Sequence, residues 1–372
     1  MTKLTDLCDI QYGYAFDSGA FTDDETYPQL VRIRDVKRGY SETYYSGDYP
    51  KEYVLSAGDL LIGMDGEFNI ARWKVDGALL NQRVCKIVAK DNADEEFLRF
   101  ALSKALKTIE DRTSFATVKH LSAKELNKLE IIVPPYDEQR KIAEILHRLE
   151  GVIESRQNEL DSLDELIKAR FVELFGDLNV NPKGWELKSF DELTNLITDG
   201  EHSTPRRCEE GIYLLSARNV LNHELKLEDV DYIDDEEYER ISKRIIPQSG
   251  DVLLSCSGTV GRCCCVPVGL KFQMVRSIAL LRFKEELNPV FAEYMITSDF
   301  VQQQIDKAKT ASSQANLFQG KIAKLRGFVP PRELQDEFLV FVKQVDKSKV
   351  VVQKALDEAH LLFDSLMQEY FE

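Results

Sequence analysis

The sequence predicts an α+β protein assembled twice: two tandem domains of mixed α/β structure, each followed by a long helix, related by a pseudo-twofold. Three observations predict it. The chain repeats itself at an offset near 196 residues. In each copy, short runs of β-formers separated by Gly, Asp and Ser come first. Each copy then closes with an unbroken stretch carrying a heptad stripe.

The repeat is read from paired segments. Val133, Pro134 and Pro135 recur as Val329, Pro330 and Pro331, an offset of 196, and Leu121, Leu129 and Gln139 recur as Leu317, Leu325 and Gln335. Upstream, Ala57-Gly58-Asp59-Leu60-Leu61 matches Ser249-Gly250-Asp251-Val252-Leu253 at an offset of 192, so a short insertion or deletion lies between. A period this long is a duplicated domain, since solenoid repeats run ~20–50 residues. A chain of 372 residues fits two domains at ~150 each.

Within the first copy the expected strands are 30–33, 59–62 and 84–87; in the second they are 212–215, 251–254 and 277–281. Helical stretches follow around 94–111 and 289–308, then a last strand entering Val-Pro-Pro, where proline stiffens the exit before a helix. The first heptad seam runs Ile142, Leu146, Leu149, Ile153, Arg156, Leu160, Leu163, Ile167. The second runs Phe338, Val342, Val345, Lys349, Val352, Leu356, Ala359, Phe363, in identical register. One polar seam residue in each helix, Arg156 and Lys349, fixes register and partner choice more than stability. Two matched seams in one chain pair most simply with each other, the alternative being a coiled coil between chains. At ~34 residues each helix spans roughly 50 Å, about 15 base pairs of B-DNA. The expected boundaries are a first domain at 1–135, a helix at 136–177, a linker at 178–184, a second domain at 185–331 and a second helix at 332–372.

Charge bears on function. The net charge of −16 argues at first against phosphate contact. Yet residues 136–177, 332–372 and 224–240 carry −5, −4 and −7, which accounts for the whole excess. The remainder is neutral and free to present basic faces. The run 224–239 reads as a solvated face or turn on which DNA does not lie. No stretch of ~18 apolar residues exists, so no membrane span is expected. The N-terminus lacks the apolar core of a secretory signal. Seven cysteines, three of them consecutive at 263–265, are no disulfide framework and point to a reducing cytoplasm. The consecutive three read as a buried strand.

Catalytic motifs are missing. Val133-Pro134-Pro135-Tyr136 has valine where an adenine methyltransferase motif needs a polar side chain, and its second copy, ending in Arg332, also loses the aromatic. No phosphate-binding glycine loop and no Cys-x-x-Cys pair occur, and the five histidines are scattered. Polar loops supply the candidates for reading DNA. In the first copy they are Tyr12, Tyr14, Arg32, Arg34, Lys37, Arg38, Asp65, Glu67, Phe68, Asn69, Asn81 and Gln82, with Arg83 next to the last pair. In the second copy they are His202, Thr204, Arg206, Arg207, Arg218, Asn219, Thr259, Arg262, Gln273 and Arg276. Arginine suits guanine, and Asn or Gln suits adenine, through paired groove contacts. Lys37, Arg38, Arg206 and Arg207 suit phosphates.

Several motifs carry a resemblance. Each helix is entered through Pro-Pro, in the first copy followed by Tyr136, Asp137, Glu138 and Gln139. The first ends in Phe171-x-x-x-Phe175-Gly176-Asp177. Gly58-Asp59-Leu60-Leu61-Ile62 is followed by Gly66, and a loop reads Asp199-Gly200-Glu201-His202-Ser203-Thr204-Pro205. With two globular domains alternating with two helices, the whole chain resembles the specificity (S) subunit of Type I restriction–modification systems. It departs at the second Pro-Pro, where Arg332-Glu333-Leu334-Gln335 replaces the usual acid before Gln. The resemblance implies a non-catalytic chain whose globular parts are target-recognition domains, each reading half of a bipartite site in double-stranded DNA, with antiparallel helices setting the gap. It implies docking of two methyltransferase subunits and, through them, translocase–endonuclease subunits. Cofactors are then expected on those partners (S-adenosylmethionine, ATP and magnesium) and none on this chain. Phe171, Phe175, Tyr370 and Phe371 are candidates either for partner docking or for packing the helices. A scaffold that binds no DNA and an acidic DNA mimic remain as alternatives.

Overall fold

Each half of the chain is built on a four-stranded antiparallel sheet whose spatial order places the first and last of its own four strands side by side. The computed structural model describes residues 1–112, 119–309 and 315–372. In the first half the order is Cys8–Tyr12, Val84–Ala89, Leu60–Gly63, Ile70–Arg72. In the second it is Thr194–Asp199, Ile278–Phe283, Val252–Ser255, Cys263–Cys265. Beside each sheet lies a short parallel pairing: Leu30–Val31 with Leu79–Leu80, and Ile212–Leu215 with Phe272–Met274. The strand leading into each Pro-Pro pairs with a strand at the start of its half, Glu130–Ile131 with Thr2–Lys3 and Arg326–Val329 with Glu186–Ser189.

The Gly-Asp motif is the turn that starts the central strand. Gly58 and Gly250 take φ of +98° and +88°, which a side chain would disfavour. The aspartate after each glycine then closes the turn and reaches the next strand. Asp59 accepts from the Ser56 N–H at 2.9 Å and pairs with Lys86 at 2.8 Å. Asp251 accepts from the Gln248 N–H at 2.7 Å and holds Arg282 through both carboxylate oxygens at 2.7 Å.

Several elements differ from expectation in extent. The run at 30–33 is strand only at Leu30–Val31, and Ile33–Asp35 winds into a 3-10 turn closed by the Asp35 carboxylate on the Arg32 N–H. The helical stretch 289–308 breaks at Ser298 into Pro289–Thr297 and Asp299–Ala308. Cys263 and Cys264 face opposite sides of their sheet and both are buried, because apolar clusters cover both faces. The acidic run at 224–239 is not a plain solvated face: it forms strands Glu224–Leu225 and Asp231–Ile233 and enters the helix Asp235–Ser242.

The helices Tyr136–Phe175 and Arg332–Phe371 are each 40 residues, so ~60 Å rather than ~50 Å. By packing, residues 1–158 with 352–372 form one unit and 159–351 the other. Each unit therefore takes the start of one helix and the end of the other, and within each they run antiparallel. In the first, Ile142 and Leu146 share a core with Met367, and Phe371 packs on Phe97 at 5.4 Å. In the second, Phe171 packs on Phe338 at 5.4 Å and Lys349 meets Asp164 at 2.7 Å. All sixteen expected seam residues are buried or half-buried.

One glutamine locks each helix start to its domain. Gln139 accepts from the Asp94 N–H at 2.9 Å and donates to the carbonyls of Asn92 and Pro134. Gln335 accepts from the Asn288 N–H at 2.7 Å and donates to the carbonyls of Glu286 and Pro330. Both glutamines are almost fully buried. A glutamine fits here because one amide satisfies a buried N–H and two carbonyls together.

Candidate nucleic-acid interface

In each half, loops from opposite ends of the sequence meet at the same rim of the sheet, and the contacts that join them are duplicated. Gly13 lies against the Asn81 carbonyl, where a Cβ would come within 2.0 Å, and Gly200 lies against that of Met274, where it would come within 2.3 Å. Only glycine permits such an approach. The next residues bridge in parallel, Tyr14 with Asn81 and Glu201 with Val275. The Met64 N–H donates to the Arg83 carbonyl, and the Cys256 N–H to that of Ser277, each at 2.8 Å. Asp65 bridges His120, and Ser257 bridges Asn316. The same crossing thus places Asp65, Gln82, Arg83 and His120 in the first half where Ser257, Arg276, Ser277 and Asn316 stand in the second. The backbone is shared and the chemistry is not.

The 3-10 turns beside these crossings are duplicated too. The Asp35 carboxylate accepts from the Arg32 N–H at 3.0 Å, and the Asn219 side-chain carbonyl accepts from the Ser216 N–H at 2.9 Å. This puts exposed Arg34 and Arg218 at equivalent positions. Arg32, Lys37 and Arg38 are exposed on the same stretch, and Arg38 has only a loose 3.9 Å contact with Glu42. The first half therefore offers a basic surface with weak internal neutralisation.

The second half differs. Arg206 meets Asp234 at 3.0 Å and Glu236 at 2.8 Å, and Arg207 meets Asp231 at 3.1 Å. Arg218 meets Asp231 at 3.3 Å, Arg240 meets Glu237 at 2.9 Å and Arg244 meets Asp199 at 2.6 Å. His202 lies 2.9 Å from Asp199. The carboxyls respond: a backbone N–H and Arg206 hold Asp234 below the usual range, and Arg240 does the same for Glu237. Among the described residues the side chains of Arg262 and Arg276 have no acidic partner; Arg276 is exposed and Arg262 half-buried. Thr204 and Thr259 are exposed at the same rim.

Some candidates take structural roles instead. Phe68 is core, 5% exposed. Asn81 is 8% exposed, its side-chain carbonyl accepting from the Gln82 N–H. Asn219 is the turn cap, and Gln273 is fully buried, donating to Ser242 and the Ile245 carbonyl. Phe68 faces inward as an apolar side chain, and the three amides do so because Asn81 and Asn219 accept from nearby backbone N–H groups and Gln273 donates to a distant segment. The Tyr12 hydroxyl is committed to Asn127 at 2.8 Å. Tyr14, Glu67 and Gln82 are exposed, and Asp65 and Asn69 are half-buried in the loop. The four aromatics considered for docking pack internally. Phe171 and Phe175 are buried against Phe291 and Phe338, and Tyr370 and Phe371 are half-buried on the core of the first unit. Two side chains at the crossing escaped the sequence reading. His120 looked like one scattered histidine, and Asn316 carried no motif; the repeat offset of 196 that joins them was the available signal.

Among the described residues no cluster of three or more His, Cys, Asp or Glu is placed to hold a metal, and no helix is long and apolar enough to cross a membrane. The family model for the Type I restriction modification DNA specificity domain matches twice, over residues 1–165 and 182–359. The chain belongs to that family. It is a non-catalytic DNA-specificity subunit of the Type I restriction–modification class. It is 27% identical to the Type I restriction enzyme EcoBI specificity subunit of Escherichia coli, across 99% of this chain and 84% of that one. It is 20% identical to the MjaVIII specificity subunit of Methanocaldococcus jannaschii, across 82% and 78%. Its fold is similar to that of the S subunit from M. genitalium, with a TM-score of 0.59 at 15% identity over 100% of this chain and 95% of that one. A chain from a structure on complex assembly and conformational transition of the type I R-M system gives 0.55 at 17% identity, over 99% and 96%.

Proposed function

We propose that each globular domain of this specificity subunit reads one half of a bipartite site in double-stranded DNA. The long helices set the unspecified gap and dock two methyltransferase subunits, and through them the translocase–endonuclease subunits. The duplicated loop crossing carries this reading. One backbone arrangement presents Asp65, Gln82, Arg83 and His120 in one domain and Ser257, Arg276, Ser277 and Asn316 in the other. A shared frame with different donors and acceptors is what reading two unlike half-sites requires. Arg32, Lys37 and Arg38 are suited to phosphates, and Arg34, Gln82, Arg218 and Arg276 to base edges.

S-adenosylmethionine, ATP and magnesium belong on the partners in this reading, which works in the cytoplasm. Co-expression with the neighbouring methyltransferase in a host free of adenine methylation tests it. A split methylated motif that vanishes when this chain is omitted is the expected result. A complex that copurifies, shows no salt-dependent DNA binding and methylates nothing supports a scaffold instead.

A further inference from the structure

Arg83 is a guanidinium held in place from behind. Its φ of +73° is a conformation that side chains rarely adopt. The backbone around it is fixed: the Met64 N–H donates to its carbonyl at 2.8 Å, the Gly66 N–H to that of Lys119 at 2.9 Å, and the Leu121 N–H to that of Met64 at 2.7 Å. On this frame Asp65 hydrogen-bonds His120. The Arg83 Nε lies 3.6 Å from the Asp65 carboxylate, and Nη1 lies 3.3 Å from the His120 ring. Asp65 is 22% exposed, whereas Arg83 and His120 are 52% and 45% exposed. The guanidinium is therefore held by an ion-pair contact at Nε and by Nη1 lying against the imidazole, while Nη2 has no partner among the described residues and the group stands open to solvent.

An isolated surface arginine must give up rotamer freedom before it can form two parallel hydrogen bonds. A carboxylate–imidazole pair that already restricts the guanidinium removes part of that cost. Guanine presents two acceptors on one groove edge, the arrangement an arginine fork matches. The second domain lacks this device: Ser277 stands at the place of Arg83, and the Ser257 hydroxyl meets the Asn316 side-chain carbonyl at 2.7 Å.

We infer that Arg83 is a specificity-determining residue that reads a guanine in the half-site of the first domain, with Asp65 and His120 as its positioning residues. The inference rests on the DNA-reading function proposed above.

Its test uses the full chain co-expressed with its methyltransferase, with adenine methylation mapped genome-wide. In Arg83→Ala, one G·C pair in one half-site is expected to become degenerate, with a loss of preference of about tenfold to a hundredfold. The other half-site stays unaltered. Arg83→Lys, which keeps the charge and lacks the fork, is expected to relax the same pair, and guards against an alanine variant that fails to assemble. Asp65→Asn is expected to relax that pair partially, which a role confined to holding the loop would not produce. Variants that methylate the parental motif unaltered, or lose discrimination evenly at every position, overturn the inference. If the unsubstituted chain directs no split motif, the DNA-reading proposal itself has failed, so the two failures are distinct.

Discussion

Replacing Gln335 with leucine removes three hydrogen bonds at the junction between domain and helix while keeping the volume. The Asn288 N–H loses its acceptor at 2.7 Å, and the carbonyls of Pro330 and Glu286 lose donors at 2.8 and 3.0 Å. An orphaned buried polar group costs about 1–3 kcal/mol, and the leucine recovers part of this as apolar burial. The expected net cost is about 2–4 kcal/mol, a large share of a typical stability of ~5–15 kcal/mol. Gln139→Leu breaks the corresponding bonds, but all of these are only partly buried, so about 1–2 kcal/mol is expected. The chain has two tryptophans, Trp73 in the first unit and Trp185 in the second, so each unit carries its own fluorescent reporter. Guanidinium unfolding of single-tryptophan backgrounds therefore follows each substitution in its own unit. If Gln335→Leu stays within about 0.5 kcal/mol of its parent, or Gln139→Leu costs more, the reasoning from buried polar satisfaction is refuted.

Other consequences follow from the same geometry. Asp251→Ala strands Arg282 and the Gln248 N–H, so a loss of about 2–4 kcal/mol is expected in thermal or denaturant unfolding, while Lys226→Ala, at an exposed pair, changes little. The Asp234 carboxyl is held down in the folded chain, so the stability it contributes is present above the ordinary aspartate pKa of ~3.9 and is lost as pH falls through the folded value. Carboxyl NMR should show it titrating below that value, and Arg206→Gln should move it upward. Cys208 is the exposed cysteine, whereas burial pushes the Cys85 and Cys256 thiols up to about 12, so a maleimide should label Cys208 first under native conditions, with peptide mapping as the readout. Arg218→Ala should weaken discrimination in the second half-site alone, scored by motif mapping; equal loss in both halves indicates a folding defect.

The architecture was legible because duplication and heptad spacing are long-range regularities. A match between Leu121 and Leu317, or between Gln139 and Gln335, holds wherever the intervening loops go. The Pro-Pro-x-x-x-Gln pattern was visible as a motif, but its physical reason was not, since the partners of Gln335 include a backbone N–H 47 residues earlier. Individual site residues were harder. Polar type alone does not separate Gln273, which finishes buried bonding, from Arg276, which is exposed three positions on. Nor does it show that acids claim Arg206 and Arg207 while Arg32 and Lys37 have no ion pair among the described residues. These outcomes depend on contacts between distant segments, such as Asp65 with His120, which no local window contains.

The first unit is made from residues 1–158 together with 352–372, and its core includes Phe97, Leu146 and Met367. During synthesis its last packing partners are made after every residue of the second unit. The earlier-made domain must therefore wait, with the apolar face that receives Met367 and Phe371 uncovered, while the later one closes. Vectorial translation thus reverses the order of completion. The interval of exposure is set by elongation through some two hundred residues, or tens of seconds at ~5–20 residues per second. A released chain ending just short of 352 would carry one complete unit and one open core, a natural client for a chaperone.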